Sequence, residues 1–223
     1  DIPIPSIEDG TILIKSSNSV ISSGTERMLH EFGKSNIIKK AKDQPHKVRQ
    51  VLDKAKSDGI LETYNAVKTK LDQVMPLGYS NAGVVIESRS SEFSVGDRVV
   101  SNGAHAEVVR VPSNLCAKIP PEVDSATAAF TVLASIGLQG DRLMHPQLGE
   151  NIVVYGLGLI GNLVCQILKA NGCNVIGIDI NKERCDIAAK MSIQVINSDE
   201  NIDVINRVKL LSNENGVDGV IIT

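Results

Sequence analysis

The sequence predicts an α/β-plus-β protein of two domains: a small barrel of short strands carrying a helical insertion, then a doubly wound parallel sheet. Three observations predict it. Before residue 124, short β-branched runs alternate with Gly, Pro and Ser turn residues. Between about 34 and 75 that pattern gives way to a basic stretch with helical periodicity. After residue 124, apolar strand-like runs alternate with helices, the order that makes right-handed βαβ units and a parallel sheet. The 223 residues suffice for two domains with their own cores, read here as 1–123 and 124–223.

The elements follow in order. Residues 1–33 read as strand-like: Thr11 to Lys15 (TILIK) is β-branched and bounded by Gly10 and Ser16, and a second short strand leads into a loop from Ile21 to Glu26. Pro45 suits the first position of a helix whose apolar stripe is Val48, Val51, Leu52 and Ala55, with Gly59 as its stop. A second helix runs from about Leu61 to Gln73, with Tyr64, Val67 and Leu71 on one face. Strands return at Ala82 to Glu87, Arg98 to Ser101 and Ala106 to Val111, the middle one entered through the turn Gly96-Asp97. So many short, turn-bounded strands suggest a small barrel. Ala126 to Leu143 then reads as one helix. Strands at Ile152 to Tyr155, Asn174 to Ile178, Gln194 to Ile196 and Val217 to Ile222 alternate with helices at about 159–171, 181–190 and 200–212.

Composition excludes several function classes. A net charge of -3 points to neither nucleic acid nor membrane. With no tryptophan and 3% aromatic residues, the chain has too few rings to stack bases. Cys116, Cys165, Cys173 and Cys185 form no C-x-x-C pair, so they read as reduced thiols of a cytoplasmic protein, not a disulfide framework or zinc cluster. The N-terminal residues carry no leader pattern. The most apolar run, Ile152 to Leu168, is broken by glycines and falls short of the ~20 residues that span a bilayer.

The motif that carries chemistry is Gly156-Leu157-Gly158-Leu159-Ile160-Gly161. It follows the strand NIVVY and opens the helix LIGNLVCQILKANG, the context a dinucleotide fingerprint requires. Gly156 permits the tight turn, Gly158 lets the backbone approach a pyrophosphate, and Gly161 lets helix and strand pack closely. The helix N-terminus offers free N–H groups to phosphates. Asp179, at the end of the next strand, stands where an acidic residue accepts hydrogen bonds from the adenosine ribose and repels a 2′-phosphate. NAD is therefore favoured over NADP, although Lys182 and Arg184 nearby soften the preference; Asp179 also suits a helix cap. The cofactor-binding set is Gly156, Gly158, Leu159, Ile160, Gly161, Asp179, Ile180, Asn181 and Ser135.

With these motifs the chain resembles the medium-chain dehydrogenase/reductase superfamily, whose members pair a GroES-like barrel with a Rossmann domain. ISSGTE (Ile21 to Glu26) looks like its I-C-G-T-D loop, PLGYSNAGVV (Pro76 to Val85) like its P-L-G-H-E-x-x-G-V-V strand, and DSATAAF (Asp124 to Phe130) like the segment before its interdomain helix. VGDRVV (Val95 to Val100) and HAEVVRVP (His105 to Pro112) resemble its barrel strands. Ser23 and Tyr79 stand at the zinc-binding Cys and His positions, Ser80 at the Glu position, and the third ligand position falls near Thr131. The four-cysteine structural zinc lobe is missing as well. None of these positions offers a thiolate or imidazole, so no zinc is expected. The phrases SSGTERML, FGKSNIIKKAKDQPHKV and SNGAHAEVV resemble a narrower branch of bi-domain bacterial oxidoreductases, which implies a fused C-terminal oxidoreductase domain. The superfamily also implies a homodimer, and the chain reads as the front of a longer protein with its Rossmann sheet truncated after Thr223.

Without a metal, the expected chemistry falls to hydroxyls and a carboxylate. Thr25 stands where the superfamily's hydroxyl meets substrate and passes protons; Ser23 and Tyr79 stand where zinc ligands would converge. Glu26 would accept a proton relayed from Thr25, and the Tyr79 hydroxyl would donate to a developing alkoxide. Each has a structural alternative: Ser23 and Thr25 as turn formers, Tyr79 as core packing, Glu26 as an ion-pair partner. His105 reads as a strand residue and not as an acid or base. The lysine-rich stretch from Lys34 to Lys56 reads as a solvated helix face or as a rim attracting an anionic, sugar-like small-molecule substrate. The leading expectation is a zinc-independent NAD(H) oxidoreductase acting on an alcohol or carbonyl of a sugar or nucleotide sugar. A quinone or enoyl reductase using NADPH and a non-catalytic dinucleotide-binding scaffold are the alternatives.

Overall fold

A computed structural model describes residues 3–34, 76–199 and 202–223. Both helices expected between 35 and 75, and most of the lysine-rich stretch, lie outside the described residues.

The first domain is built on strands β1 (Thr11–Ser19), β2 (Asn81–Ser88), β3 (Arg98–Ser101), β4 (Val108–Pro112) and β5 (Cys116–Lys118), hydrogen-bonded in the order β4-β1-β2-β3-β5. Every pairing is antiparallel. The register of β1 against β2 shifts at Leu13/Ile14 and at Ser16/Asn18, irregularities that bend the sheet around its core. That core is Ile12, Ile14, Val85, Phe93, Val99, Val109 and Val111. Gly83 is required in β2, because a Cβ there would lie 2.2 Å from the Lys15 carbonyl oxygen. This is the GroES-like half of the fold.

Two expectations need correction here, and one strand was not expected. The stretch taken as a loop from Ile21 to Glu26 is a helix from Ser23: α1 spans Ser23–Lys34. Its Ser and Gly residues are unfavourable only in a helix interior, and in the first turn the Glu26 carboxylate takes the Ser22 N–H at 2.8 Å while Glu26 N–H closes on the Ser22 carbonyl at 2.9 Å. His105 is not in a strand, since β4 begins at Val108 and residues 102–107 form an irregular bend. β5, three residues long, carries too short a pattern to be read from sequence.

The helix expected over 126–143 is two. α2 (Ser125–Ala128) is capped by Asp124, which accepts from the Thr127 N–H at 2.9 Å and the Thr127 hydroxyl at 2.6 Å. α3 (Thr131–Met144) follows and ends on His145 in the left-handed region. Between them, the Ala129 carbonyl accepts the buried Ser80 hydroxyl at 2.5 Å, and Ala128 and Ala129 pack with Ala82, Val100 and Ile119. This seam packs α2 and the turn after it against β2 and β3.

The second domain is a parallel sheet of β6 (Asn151–Tyr155), β7 (Asn174–Asp179), β8 (Gln194–Asn197) and β9 (Gly219–Ile222), in the order β8-β7-β6-β9. In sequence terms this is 3-2-1-4, the first four strands of the doubly wound Rossmann order. α4 (Leu159–Ala170), α5 (Lys182–Lys190) and α6 (Val204–Leu211) connect them. Successive residues of β6 face opposite layers: Ile152 and Val154 pack with Val164, Cys165 and Leu168 of α4, whereas Val153 packs on the side covered by Val204, Val208 and Leu211 of α6. Each such fully buried aliphatic side chain contributes roughly 1.5–3 kcal/mol. All four cysteines are free. Among the described residues, no helix is long and apolar enough to cross a membrane.

Candidate functional site

The glycine-rich loop sits at the carboxyl end of β6, where the chain order reverses between β6 and β9. Such a switch point opens a crevice at the strand ends. Gly156 adopts φ 101°, donates to the Ile178 carbonyl at 2.8 Å, and accepts the Thr223 hydroxyl at 2.7 Å. Gly161 is pressed against this turn, and a Cβ on it would lie 1.8 Å from the Gly156 oxygen. Gly158, the N-cap of α4, has nothing within 4 Å of where a Cβ would stand. The three glycines thus do different work: a turn, an open approach and a close packing contact.

Two residues that the motif leaves unspecified orient the loop. Leu157 is fully buried, and its side chain fills the space over Gly177, where a Cβ would come within 2.8 Å of it. Asn162 donates its amide to the carbonyls of Leu157 at 2.6 Å and Gly158 at 3.1 Å. Loop carbonyls are therefore turned inward, while the N–H groups of Leu159, Ile160 and Gly161 have no carbonyl within the helix to bind. An N–H-rich, positively polarised helix end with open space before it fits a pyrophosphate. These residues fit a dinucleotide, whose phosphates Gly158 to Gly161 would hold.

Asp179 is buried, with 4% of its surface exposed. Oδ2 accepts the Leu157 N–H at 2.7 Å, Oδ1 accepts the Asn181 N–H at 2.7 Å, and the Arg184 guanidinium lies 3.6 Å from Oδ2. Burial resists ionisation, but the hydrogen bonds from Asn181 and Leu157 and the charge of Arg184 outweigh it and hold the carboxyl below its ordinary range. A carboxylate has about four acceptor sites, so capacity for ribose hydroxyls remains. Ile180 beside it is 75% exposed, Asn181 caps α5 by accepting the Arg184 N–H at 3.1 Å, and Lys182 and Arg184 are exposed. Ser135 lies on α3, its hydroxyl turned back to the Val132 carbonyl at 2.7 Å, and lines a cleft with Thr131, Val100, Ser101 and Cys116.

In the first domain, Ser23 and Thr25 are exposed in the first turn of α1, and Glu26 is buried at 8% exposure. The Glu26 oxygens are directed to the Ser22 N–H and to His105, whose Nε2 lies 3.2 and 3.1 Å from them. The other ring nitrogen, Nδ1, lies 2.8 Å from the Ser19 hydroxyl. Half-buried Tyr79 follows Gly78, whose φ of 89° lets the chain pass under the imidazole; a Cβ on Gly78 would meet the ring at 2.6 Å. The structure therefore gathers Glu26, His105, Ser19 and the Gly78-Tyr79 segment. Ser19, Ser22 and His105 were not legible as partners, because Glu26 and His105 are 79 positions apart and no spacing rule links them.

Residues 160–223, the glycine-loop helix through β9, match the family described as zinc-binding dehydrogenase. The chain is 31% identical over 153 residues to a D-guloside 3-dehydrogenase of Escherichia coli K12, covering 66% of this chain and 44% of that protein. On both counts the chain resembles the medium-chain dehydrogenase/reductase superfamily. Its fold agrees: it superimposes on an alcohol dehydrogenase from Thermus sp. ATN1 with a TM-score of 0.73 at 18% identity, covering 100% of this chain and 66% of that one. An Escherichia coli quinone oxidoreductase complexed with NADPH superimposes with a TM-score of 0.66 at 18% identity, covering 97% and 59%. The chain spans 44% of the length of the curated relatives it matches. The segment matched to the zinc-binding family contains none of the positions Ser23, Tyr79 and Thr131.

Proposed function

We propose that this chain belongs to a zinc-independent oxidoreductase that transfers a hydride between NAD(H) and an alcohol or carbonyl of a sugar-type substrate. The observation that carries the reading is the donor-rich loop Gly156 to Gly161 at the β6–β9 switch point, backed by the buried Asp179. The nicotinamide supplies the hydride acceptor or donor when bound. The chain's own part is to hold the phosphates on the α4 N-terminus, to offer Asp179, Ile180 and Asn181 to the adenosine end, and to present polar groups to the substrate oxygen. A sugar-type substrate is supported by the likeness to a D-guloside dehydrogenase. Zinc independence is supported by the hydroxyl side chains at Ser23, Tyr79 and Thr131, since hydroxyls are poor zinc ligands. Thr25, Ser23 and Tyr79 remain the proposed substrate-facing hydroxyls, and Ser135 a cofactor contact. A homodimer and a fused C-terminal oxidoreductase domain, in a cytoplasmic protein, complete the reading.

A second reading, an NADPH-dependent quinone or enoyl reductase, is favoured by exposed Lys182 and Arg184 beside Asp179, which would suit a 2′-phosphate. Parallel NADH and NADPH titrations of the full-length protein, read by nicotinamide fluorescence, decide between them. Tighter NADH binding that Asp179→Ala weakens, with substoichiometric zinc by metal analysis and turnover of a sugar alcohol, is the expected result. NADPH preference would move the reductase reading first. Tight binding with no turnover on any alcohol, ketone or enone would leave a scaffold.

A further inference from the structure

Ser19, His105 and Glu26 come from three separate places: the end of β1, the bend before β4 and the first turn of α1. His105 Nδ1 stands 2.8 Å from the Ser19 oxygen, and Nε2 stands 3.2 and 3.1 Å from the two Glu26 oxygens. One tautomer satisfies both ends: Nε2–H donates to the carboxylate, and Nδ1 accepts the serine O–H. The ring is backed by Gly78, and the His105 N–H is fixed to the Leu77 carbonyl at 2.8 Å. Glu26 is fixed in turn by the Ser22 N–H at 2.8 Å. The imidazole is thus immobilised between a buried carboxylate and an exposed hydroxyl. Both ring nitrogens are partnered, and a glycine at φ 89° lies beneath the ring.

Resting on the oxidoreductase reading above, we propose that Ser19, His105 and Glu26 form a proton relay for the substrate hydroxyl. Ser19 is the group that touches the substrate oxygen, His105 is the proton acceptor behind it, and Glu26 is a positioning residue. In the oxidation direction the substrate C–H bond would break with its electron pair leaving as hydride, which an oxidised nicotinamide would accept when bound. The substrate O–H bond breaks, and its proton passes to the Ser19 oxygen while Ser19's own proton passes to His105 Nδ1. The carbonyl forms, and the imidazolium, its charge facing Glu26, releases the proton to solvent. Carbonyl reduction runs the same path backwards. Glu26 of α1 is the charged group bound to the ring, Glu107 lies exposed on His105's own bend, and β1 presents uncharged Ser19.

The test uses the full-length protein, NAD⁺ and a panel of methyl glycosides that includes a D-guloside, with kcat and KM followed across pH. Only a neutral imidazole accepts the proton, so wild-type kcat falls on the acid side. His105→Phe, which keeps a planar ring over Gly78, is expected to lower kcat about a hundredfold with KM and NADH affinity nearly unchanged, and to remove the acid limb. Imidazole in the buffer restores part of the rate to His105→Ala. Ser19→Ala and Glu26→Gln lower kcat, and Ser19→Thr returns it. A folded His105→Phe variant with wild-type kcat and the same acid limb overturns the relay and leaves the oxidoreductase reading standing. Absence of wild-type turnover on every glycoside overturns that reading, and the relay with it.

Discussion

The backbone N–H of Leu157 donates to Asp179 Oδ2 at 2.7 Å, so the carboxylate at the end of β7 holds the glycine-rich loop at the end of β6. A residue expected to read a ribose also braces the phosphate-binding turn. Removing it leaves the buried Leu157 N–H without its acceptor, at a cost of about 1–3 kcal/mol, and frees the more exposed Asn181 N–H to water. Asp179→Ala is therefore expected to lower the thermal midpoint as well as weaken NADH binding. Weakened binding with an unchanged midpoint would mean that the loop stands without this brace.

The same contacts set a pH dependence. The folded state holds the Asp179 carboxyl below its ordinary range, against burial, through Asn181, Leu157 and Arg184. A depressed folded value makes the stabilisation complete above the unfolded value of about 4, and it is lost as pH falls through the folded value. Urea unfolding of the wild type and Asp179→Asn should differ most near neutrality and converge as acidification carries the pH below the depressed folded value. A gap that stays constant on acidification would show that ionisation of Asp179 contributes nothing.

Gly158 and Gly161 separate ligand approach from packing. Gly161→Ala forces a Cβ to 1.8 Å from the Gly156 oxygen, so α4 must move off the turn. A loss of several kcal/mol, measured by denaturant unfolding, is expected from such overpacking. Gly158→Ala meets nothing within 4 Å, so stability should change by less than about 1 kcal/mol while NADH binding falls about tenfold or more. Unchanged NADH affinity in folded Gly158→Ala would place the pyrophosphate elsewhere.

Ser80 occupies the position where the superfamily carries a glutamate, and here it is tied to the seam under α2. Its hydroxyl donates to the Ala129 carbonyl at 2.5 Å with 1% of the residue exposed. Ser80→Ala should cost about 1–2 kcal/mol by leaving that carbonyl unpaired, with cofactor affinity unchanged. A wild-type unfolding midpoint in the variant would count against the seam.

The proposed zinc independence makes a separate demand. Incubation of the full-length protein with a strong chelator, followed by desalting, should leave both hydride transfer and the thermal midpoint as they were. Loss of activity restored by added zinc would send the metal search to residues other than Ser23, Tyr79 and Thr131.

By itself the sequence determined the fold class, the alternation of strands and helices after residue 150, and the strand-turn-helix setting of the glycine-rich loop, because these rest on local periodicity and fixed spacing. TILIK had to be a strand, and Gly156 to Gly161 after NIVVY had to be a turn into a helix. Local pattern failed where a distant group decided the outcome. Ser23 to Glu26 joined a helix because Glu26 found the Ser22 N–H and the His105 ring, and the helix over 126–143 broke where Ser80 took the Ala129 carbonyl. Tertiary structure alone turned Asp179 inward onto Leu157 and brought His105 between Ser19 and Glu26. Such contacts close loops of tens of residues between groups whose pairing leaves no periodic trace, and only the folded sheets set their distance and angle.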